Sequence, residues 1–233
     1  IESQDLTQFT TPPLDAPHDF ISPHMVMYQL ERLNTKKAPG PDGISAKILF
    51  NARHNLCFII THLLNLSIHQ SFIPSQWKRA NIVPIAKVEH PQSASDYRPI
   101  ALTSTLCKML ERIVVREIIS ATASIWKTNK QYGFLSGKST MDAIVQLIDD
   151  WEHAIESKQT VHSVFFDFQK AFDLVDHTIL LNKLKSFNLP NWIVPWVAQY
   201  LSGREQRVKI NEKTSSWSPV CAGVIQGSVL GPT

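Results

Sequence analysis

The sequence predicts an α+β fold, because apolar residues recur at helical spacing in several separate stretches and short β-branched or aromatic runs stand between them. With 233 residues the chain is one large domain or two small ones, long enough to bury a core. Residues 1 to 21 are rich in Pro and Thr and show no period, so an extended lead-in on the surface or on another domain is expected. Ser22 offers an N-cap and Pro23 a first helical residue, followed by Val26, Leu30 and Leu33 on one face of a short amphipathic helix. The run KKAPGPDGI, Lys36 to Ile44, packs two Pro and two Gly into a rigid turn before Ser45 caps a new helix. Leu56, Ile59, Ile60, Leu63 and Leu64 form the pattern of a buried helical stripe.

From Trp77 the pattern changes to two extended runs, ANIVPIAK and YRPIALTS, joined by the polar stretch VEHPQSASD, which predicts two strands and a mobile loop. Helical spacing resumes at Leu106, Leu110, Ile113 and Val114, with Lys108, Arg112 and Arg116 on a basic face that reads as solvated. After the stretch Gln131 to Thr140, the positions Ala143, Leu147 and Trp151 predict another helix. HSVFFDF, His162 to Phe168, is long and apolar enough for a buried strand. A helix from about Asp176 to Asn188 is expected to turn Ile179, Leu180, Leu184 and Phe187 inward. Another runs from Asn191 to Leu201 and ends at Gly203, with Pro195 in its first turns. Gln206 to Ile210 and Ser216 to Ala222 read as an antiparallel hairpin around Asn211 and Glu212. No internal repeat or low-complexity tract is visible.

Composition narrows the class of protein. Apolar residues are 43% and charged residues 18%, the balance of a folded domain. A formal charge of +3 permits a nucleic-acid partner without arguing for one. Cys57, Cys107 and Cys221 lie far apart, so neither a disulfide framework nor a CxxC zinc site can be built from them, and a reducing, intracellular compartment is expected, nucleus or cytoplasm. The longest apolar stretch, Leu56 to Ile68, is broken by Thr61, His62 and Asn65 and is too short to span a bilayer, so no membrane partner is expected. The chain begins at Ile1 and stops within the run GSVLGPT, which reads as an excerpt of something longer.

Asp167 is the residue that most needs explaining, since a carboxylate at the end of an apolar strand is costly unless bound, and a divalent cation is its cheapest partner. It also reads as an exposed strand-end Asp or an N-cap. Asp173, Asp176 and His177 lie nearby in sequence; His177 is a possible metal ligand, although an Asp-His pair at a helix start is more commonly a cap. Lys87 and Arg98, on the two presumed strands, make either a clamp for phosphate oxygens or two surface cations. AGVIQGSVLGP, 222 to 232, has three glycines around Gln226, which suits close backbone approach. It is not a Walker loop, and GxSxG, HExxH and GxGxxG are all missing.

Taken in order, six motifs resemble one family closely, the reverse transcriptase domain of non-LTR (LINE-type) retrotransposons. They are KKAPGPDGI, WKRANIVPIAK at Trp77 to Lys87, DYRPIALTSTLCKMLERIV at Asp96 to Val114, QYGFLSGKST at Gln131 to Thr140, FFDFQKAFDLVDH at Phe165 to His177, and GVIQGSVLGP at Gly223 to Pro232. The resemblance implies a right-hand polymerase, with helical fingers carrying a β-hairpin and an incomplete palm of antiparallel sheet. It divides the chain into a lead-in and short helix at 1–35, fingers at 36–160 and a partial palm at 161–233. The reverse transcriptase domain proper would cover about 70–233 and continue beyond. Asp167 would be the first catalytic, metal-binding aspartate, with the carbonyl of Phe168 as a further ligand. Lys170 and Ala171 would present backbone N–H groups to the triphosphate, Phe172 would be the steric gate under the sugar, and Gln226 with Gly227 would line the nucleotide pocket. Lys87 and Arg98 would lie on the triphosphate.

The implied chemistry is nucleotidyl transfer with two Mg²⁺ ions in the complete domain, on an RNA template, a DNA primer and deoxynucleoside triphosphates. An endonuclease domain is expected elsewhere in the parent polyprotein. The family's paired-aspartate motif and thumb would lie past Thr233, so the chain alone is expected to be inactive. Two other readings stand beside this one: a domesticated or decayed relative that binds RNA without catalysis, and a Mg²⁺-dependent phosphohydrolase built around Asp167, Asp173 and His177.

Overall fold

The structure, a computed structural model, describes residues 4–13, 15–123, 130–135 and 137–232. Parts of the lead-in (1–3 and 14) and Ser136 of the QYGFLSGKST motif lie outside the described residues. The fold is mixed α and β, with helices packed beside one small sheet.

Ser22 opens the first regular element, its hydroxyl oxygen accepting the Met25 N–H while Pro23 fills the first turn of α1, Pro23–Glu31. Ser45 does the same for α2, Ala46–Asn51, by accepting from Ile48. The third helix, α3 (Arg53–His69), packs on α1. Its buried stripe is Cys57, Ile60, Leu64 and Ile68, with Asn65 among them. Ile59 and Leu63, expected inside, face outward instead. A helix presents only one apolar arc to a single packing partner, and here that arc is rotated toward Cys57. Asn65 survives burial because its side-chain amide pairs with both backbone groups of Ile21. That pairing ties the lead-in to the helices, and Leu6, Phe9, Ala16 and Ile21 join the core rather than lying on its surface.

Strands β1 (Arg79–Ala86) and β2 (Tyr97–Leu102) form the expected hairpin, with Ile85 opposite Arg98 and Pro84 opposite Pro99. Its connection is tied down by Asp96, whose Oδ2 accepts the N–H groups of Gln92 and Ser93 and the Ser93 hydroxyl. Those bonds hold the Asp96 carboxyl below its usual range, the Ser93 N–H contributing most. The helix α4 (Thr105–Thr122) buries Leu106, Leu110, Ile113 and Val114 as its spacing predicts. α5 (Thr140–Glu156) begins at a Ser139–Asp142 capping box, and none of its residues is fully buried.

The segment 161–168 departs most from expectation. It forms no strand, and Phe165, Phe166 and Phe168 are 78%, 89% and 84% exposed. A strand needs a ladder partner to satisfy its N–H and C=O groups, and no described strand pairs with this one. The antiparallel palm sheet expected around Asp167 is therefore not present among the described residues.

Asp176 caps α6 (His177–Ser186), which packs Leu180 and Leu184 partly buried against the core as expected, buries Leu181 fully, and leaves Ile179 exposed against expectation. α7 (Ile193–Leu201) carries Trp196 and Tyr200 into the core and tolerates Pro195 because that residue lies in its first turn. β3 (Arg204–Ile210) turns at Asn211 and Glu212 into β4 (Lys213–Thr214) and also pairs with β5 (Ser218–Val220), the predicted hairpin broken into two short pieces. β3 then joins β1 in parallel, giving a mixed sheet in the order β2-β1-β3-β4.

Candidate active site

Gly223 organises the site. Its φ of +82° is one that side-chain-bearing residues rarely adopt, and a Cβ there would meet the carbonyl oxygens of Asp173 and Phe172 at 2.7 and 2.8 Å. That closeness lets two backbone strands of the site bond directly: Gly223 N–H donates to Val175 O (2.9 Å) and Val224 N–H to Phe172 O (2.7 Å). His177 adds a third tie, its Nε2 2.7 Å from Gly223 O, so Nε2 carries the proton and donates. A few residues on, Gln226 O accepts the Ala101 N–H of β2 at 2.9 Å, and Gly227 packs against the same residue.

The result is a continuous backbone connection from Phe172, through 223–227, to the hairpin that carries Arg98. The Phe172 ring also meets Phe134 edge-on, with centroids 6.2 Å apart, which brings the QYGFLSGKST segment to the same place. Four stretches distant in sequence thus meet here. Beneath them lies a cleft of about 660 Å³ whose lining includes Pro99, Ala101, Asp173, Arg204, Gly223 and Gln226.

The predicted residues are distributed unevenly around this junction. Gln226 lines the cleft, and Phe172 and Gly227 border it through their backbone contacts. Strand alternation sends Arg98 to the face opposite Pro99 and Ala101, away from the cleft. Lys87 lies one residue past the end of β1, at the loop end of the hairpin where Arg98 also sits. Lys87 Nζ donates to Ser95 O at 2.8 Å, and its N–H donates to Asp96 O.

Lys170 has φ +53° and its carbonyl accepts from Asp173 and Leu174, closing a turn that leaves Lys170 and Ala171 exposed. Among the described residues, neither of their N–H groups finds a protein acceptor. Asp167 and Phe168, just before this turn, are exposed to solvent.

His177 is 3% exposed and committed to Gly223, so it takes no part in a cluster with Asp167. Asp176 is a helix cap: Oδ1 accepts from Ile179 N–H and Oδ2 from the Gln4 side chain, and these bonds, the Ile179 one first, lower its pKa. Among the described residues no group of three or more His, Cys, Asp or Glu is placed to hold a metal ion. Asp167 by itself presents one hard-oxygen ligand to solvent. That donor fits Mg²⁺, which is bound through one or two carboxylates plus substrate phosphates rather than by a protein cage.

Two residues of this region were not anticipated. Glu111 on α4 is fully buried, and its Oε2 accepts the N–H groups of Val229 (2.6 Å) and Leu230 (3.1 Å). Arg204 is also buried, donating to Tyr200 O at 2.9 Å and to the sequence-distant Trp77 O at 3.5 Å. A signal for Glu111 existed, since it falls at helical spacing within the apolar stripe Cys107, Val114 and Ile118. Arg204 had none, as a basic residue after a glycine looks like any surface turn.

The described chain is a mixed α/β frame that joins the Phe172–Val175 turn, the Gln226–Gly227 (QG) loop and the β1–β2 hairpin. Its family follows from comparison: residues 85–233 match the family described as reverse transcriptase (RNA-dependent DNA polymerase). The chain belongs to that family. It is similar to a probable RNA-directed DNA polymerase from transposon X-element of Drosophila melanogaster, 33% identical over 221 residues that make up 94% of this chain and 24% of the relative. It is likewise similar to the probable RNA-directed DNA polymerase from transposon BS of the same species, 33% identical over 89% of this chain and 23% of the relative. The RNA-directed DNA polymerase from mobile element jockey, also of Drosophila melanogaster, is 31% identical over 88% of this chain and 22% of the relative. These relatives place the chain with reverse transcriptases of LINE-type elements. The chain spans about a quarter of the length of the curated relatives it matches.

Proposed function

We propose that this chain is the fingers and first part of the palm of a right-hand polymerase, 36–160 and 161–233, which in its complete form copies an RNA template onto a DNA primer. The observation that supports this best is the pair of backbone bonds joining Phe172 to Val224 and Val175 to Gly223, because they bring the turn that follows Asp167 in sequence next to the QG loop. Asp167, with the Phe168 carbonyl, would hold a catalytic Mg²⁺. When bound, such ions activate the primer 3′-OH and neutralise charge on the triphosphate. The chain's own residues position the nucleotide: the free N–H groups of Lys170 and Ala171 for phosphate oxygens, Phe172 beneath the sugar, Gln226 and Gly227 along the base. Lys87 and Arg98 both sit at the loop end of the hairpin and reach the triphosphate if the hairpin closes over it. An endonuclease elsewhere in the parent polyprotein, and an address in nucleus or cytoplasm, belong to the same proposal.

The test is RNA-templated extension by a full-length polymerase carrying this chain, using oligo(dT)-primed poly(rA), dTTP and Mg²⁺. Lys87→Ala and Arg98→Ala are each expected to raise the dTTP KM about tenfold to a hundredfold, the worth of one charge-assisted hydrogen bond. Primer-template binding should fall much less. An equal loss in both would move these cations to the template groove.

Phe172→Ala is expected to admit ribonucleotides, because removing the ring frees the space a 2′-OH needs. The measurement is the ratio of deoxy to ribo incorporation efficiency, and an unchanged ratio means another side chain is the gate.

A further inference from the structure

Glu111 occupies a position where an apolar residue would serve the core. It is 0% exposed, one turn from Cys107 and from Val114 on the inward face of α4. Burying a carboxylate is expensive, and a well-packed hydrophobe there would avoid that cost. What the acid gains is two charge-assisted hydrogen bonds, from Val229 N–H at 2.6 Å and Leu230 N–H at 3.1 Å. Its other oxygen, Oε1, is buried without a hydrogen-bond partner among the described residues. Burial first, and the Glu111 charge second, raise the pKa of both Cys107 and Tyr200, so neither neighbour ionises to compete with it near neutral pH.

The loop it grips is bonded to itself. Ser228 Oγ donates to Ile225 O at 2.8 Å and accepts Gly231 N–H at 2.9 Å, closing 225–231 on itself. Upstream, the same loop is pinned to Ala101 through Gln226 O and to Phe172 through Val224 N–H. Glu111 supplies the anchor on the far side of Gly227, from helix α4.

We propose that Glu111 is a positioning residue, clamping Val229 and Leu230 so that Gln226 and Gly227 are held at the height the nucleotide pocket requires. This rests on the polymerase reading of the site. Two variants separate geometry from charge. Glu111→Gln keeps an acceptor at the same reach, whereas Glu111→Asp keeps the charge but withdraws it by one methylene, about 1.5 Å.

In the full-length polymerase, Glu111→Asp is expected to raise the dTTP KM about tenfold, the loss of one or two such bonds, and Glu111→Gln less than about threefold. Primer-template affinity should change little in either. The opposite order, Asp mild and Gln severe, would mean that the charge rather than its reach matters, and would overturn the proposal; so would an unchanged KM in both.

Amide hydrogen exchange on the 233-residue chain reads the same clamp without activity. Glu111→Asp should lose about tenfold in protection at Val229 and Leu230 and also at Gly227, while Glu111→Gln should not. Loss confined to 229 and 230 would make the contact local and overturn the positioning role. Failure of the unsubstituted polymerase to extend would instead overturn the polymerase reading, and exchange would still decide whether Glu111 holds the loop.

Discussion

Asp167→Asn is expected to abolish primer extension in a full-length polymerase carrying this chain, by about a thousandfold or more, while template binding stays near that of the unsubstituted protein. Asparagine keeps the size of the side chain and removes the charge that a divalent cation requires. Metal-ion stabilisation of developing charge is worth several kcal/mol, and each 1.36 kcal/mol is about tenfold in rate. Most nucleic-acid affinity comes from cations on phosphates, which this change does not touch. Asp167 is exposed and caps no helix, so its loss has little structural consequence to confuse the result. Steady-state extension beside a primer-template titration measures both quantities. Extension within about tenfold of the unsubstituted enzyme would remove Asp167 from the metal site.

The second large effect is structural in origin. Gly223→Ala should destabilise the chain by about 2 to 5 kcal/mol, combining backbone strain with overpacking. A Cβ at this position would stand 2.7 Å from Asp173 O, on backbone that cannot swing aside as a side-chain tip can. The clash falls on the Phe172–Val175 turn, so the two bonds that join the turn to the QG loop break together. Gly43 provides the comparison. Its φ is +71°, similar to that of Gly223, but nothing lies within 4 Å of its Cβ position. Gly43→Ala should therefore show strain alone, about 1 kcal/mol. Denaturant unfolding of both variants decides the matter. If they lose the same stability, the close approach at Gly223 contributes nothing and the link between the two motifs is weaker than the geometry indicates.

Local chemistry in the sequence determined the helix starts and the hairpins. Ser22, Ser45 and Asp176 each accept the N–H three residues on, because a cap acts within one turn and needs no distant partner. The β1–β2 ladder follows from two alternating runs with a short polar connection, which is again a local matter. The motif residues, Asp167, Phe172 and Gln226 among them, were also legible, as was their family.

Which face of a helix is buried was only partly readable. The periodicity of α3 and α6 located an apolar arc, but Ile59, Leu63 and Ile179 ended outside it because the packing partner chooses the centre of the arc. Tertiary structure alone decided three things. It left HSVFFDF without a ladder partner, and a run of strand-forming residues becomes a strand only beside another. It joined β1 to β3 in parallel across more than a hundred residues, a pairing that no short-range pattern encodes. And it put Glu111 against Val229 and Leu230, where a carboxylate that reads in sequence as a misplaced charge in an apolar stripe becomes the acceptor for two backbone N–H groups. Spacing along the chain reports which side chains share a face, but a buried charge makes physical sense only once the donors that satisfy it have been brought to it by the fold.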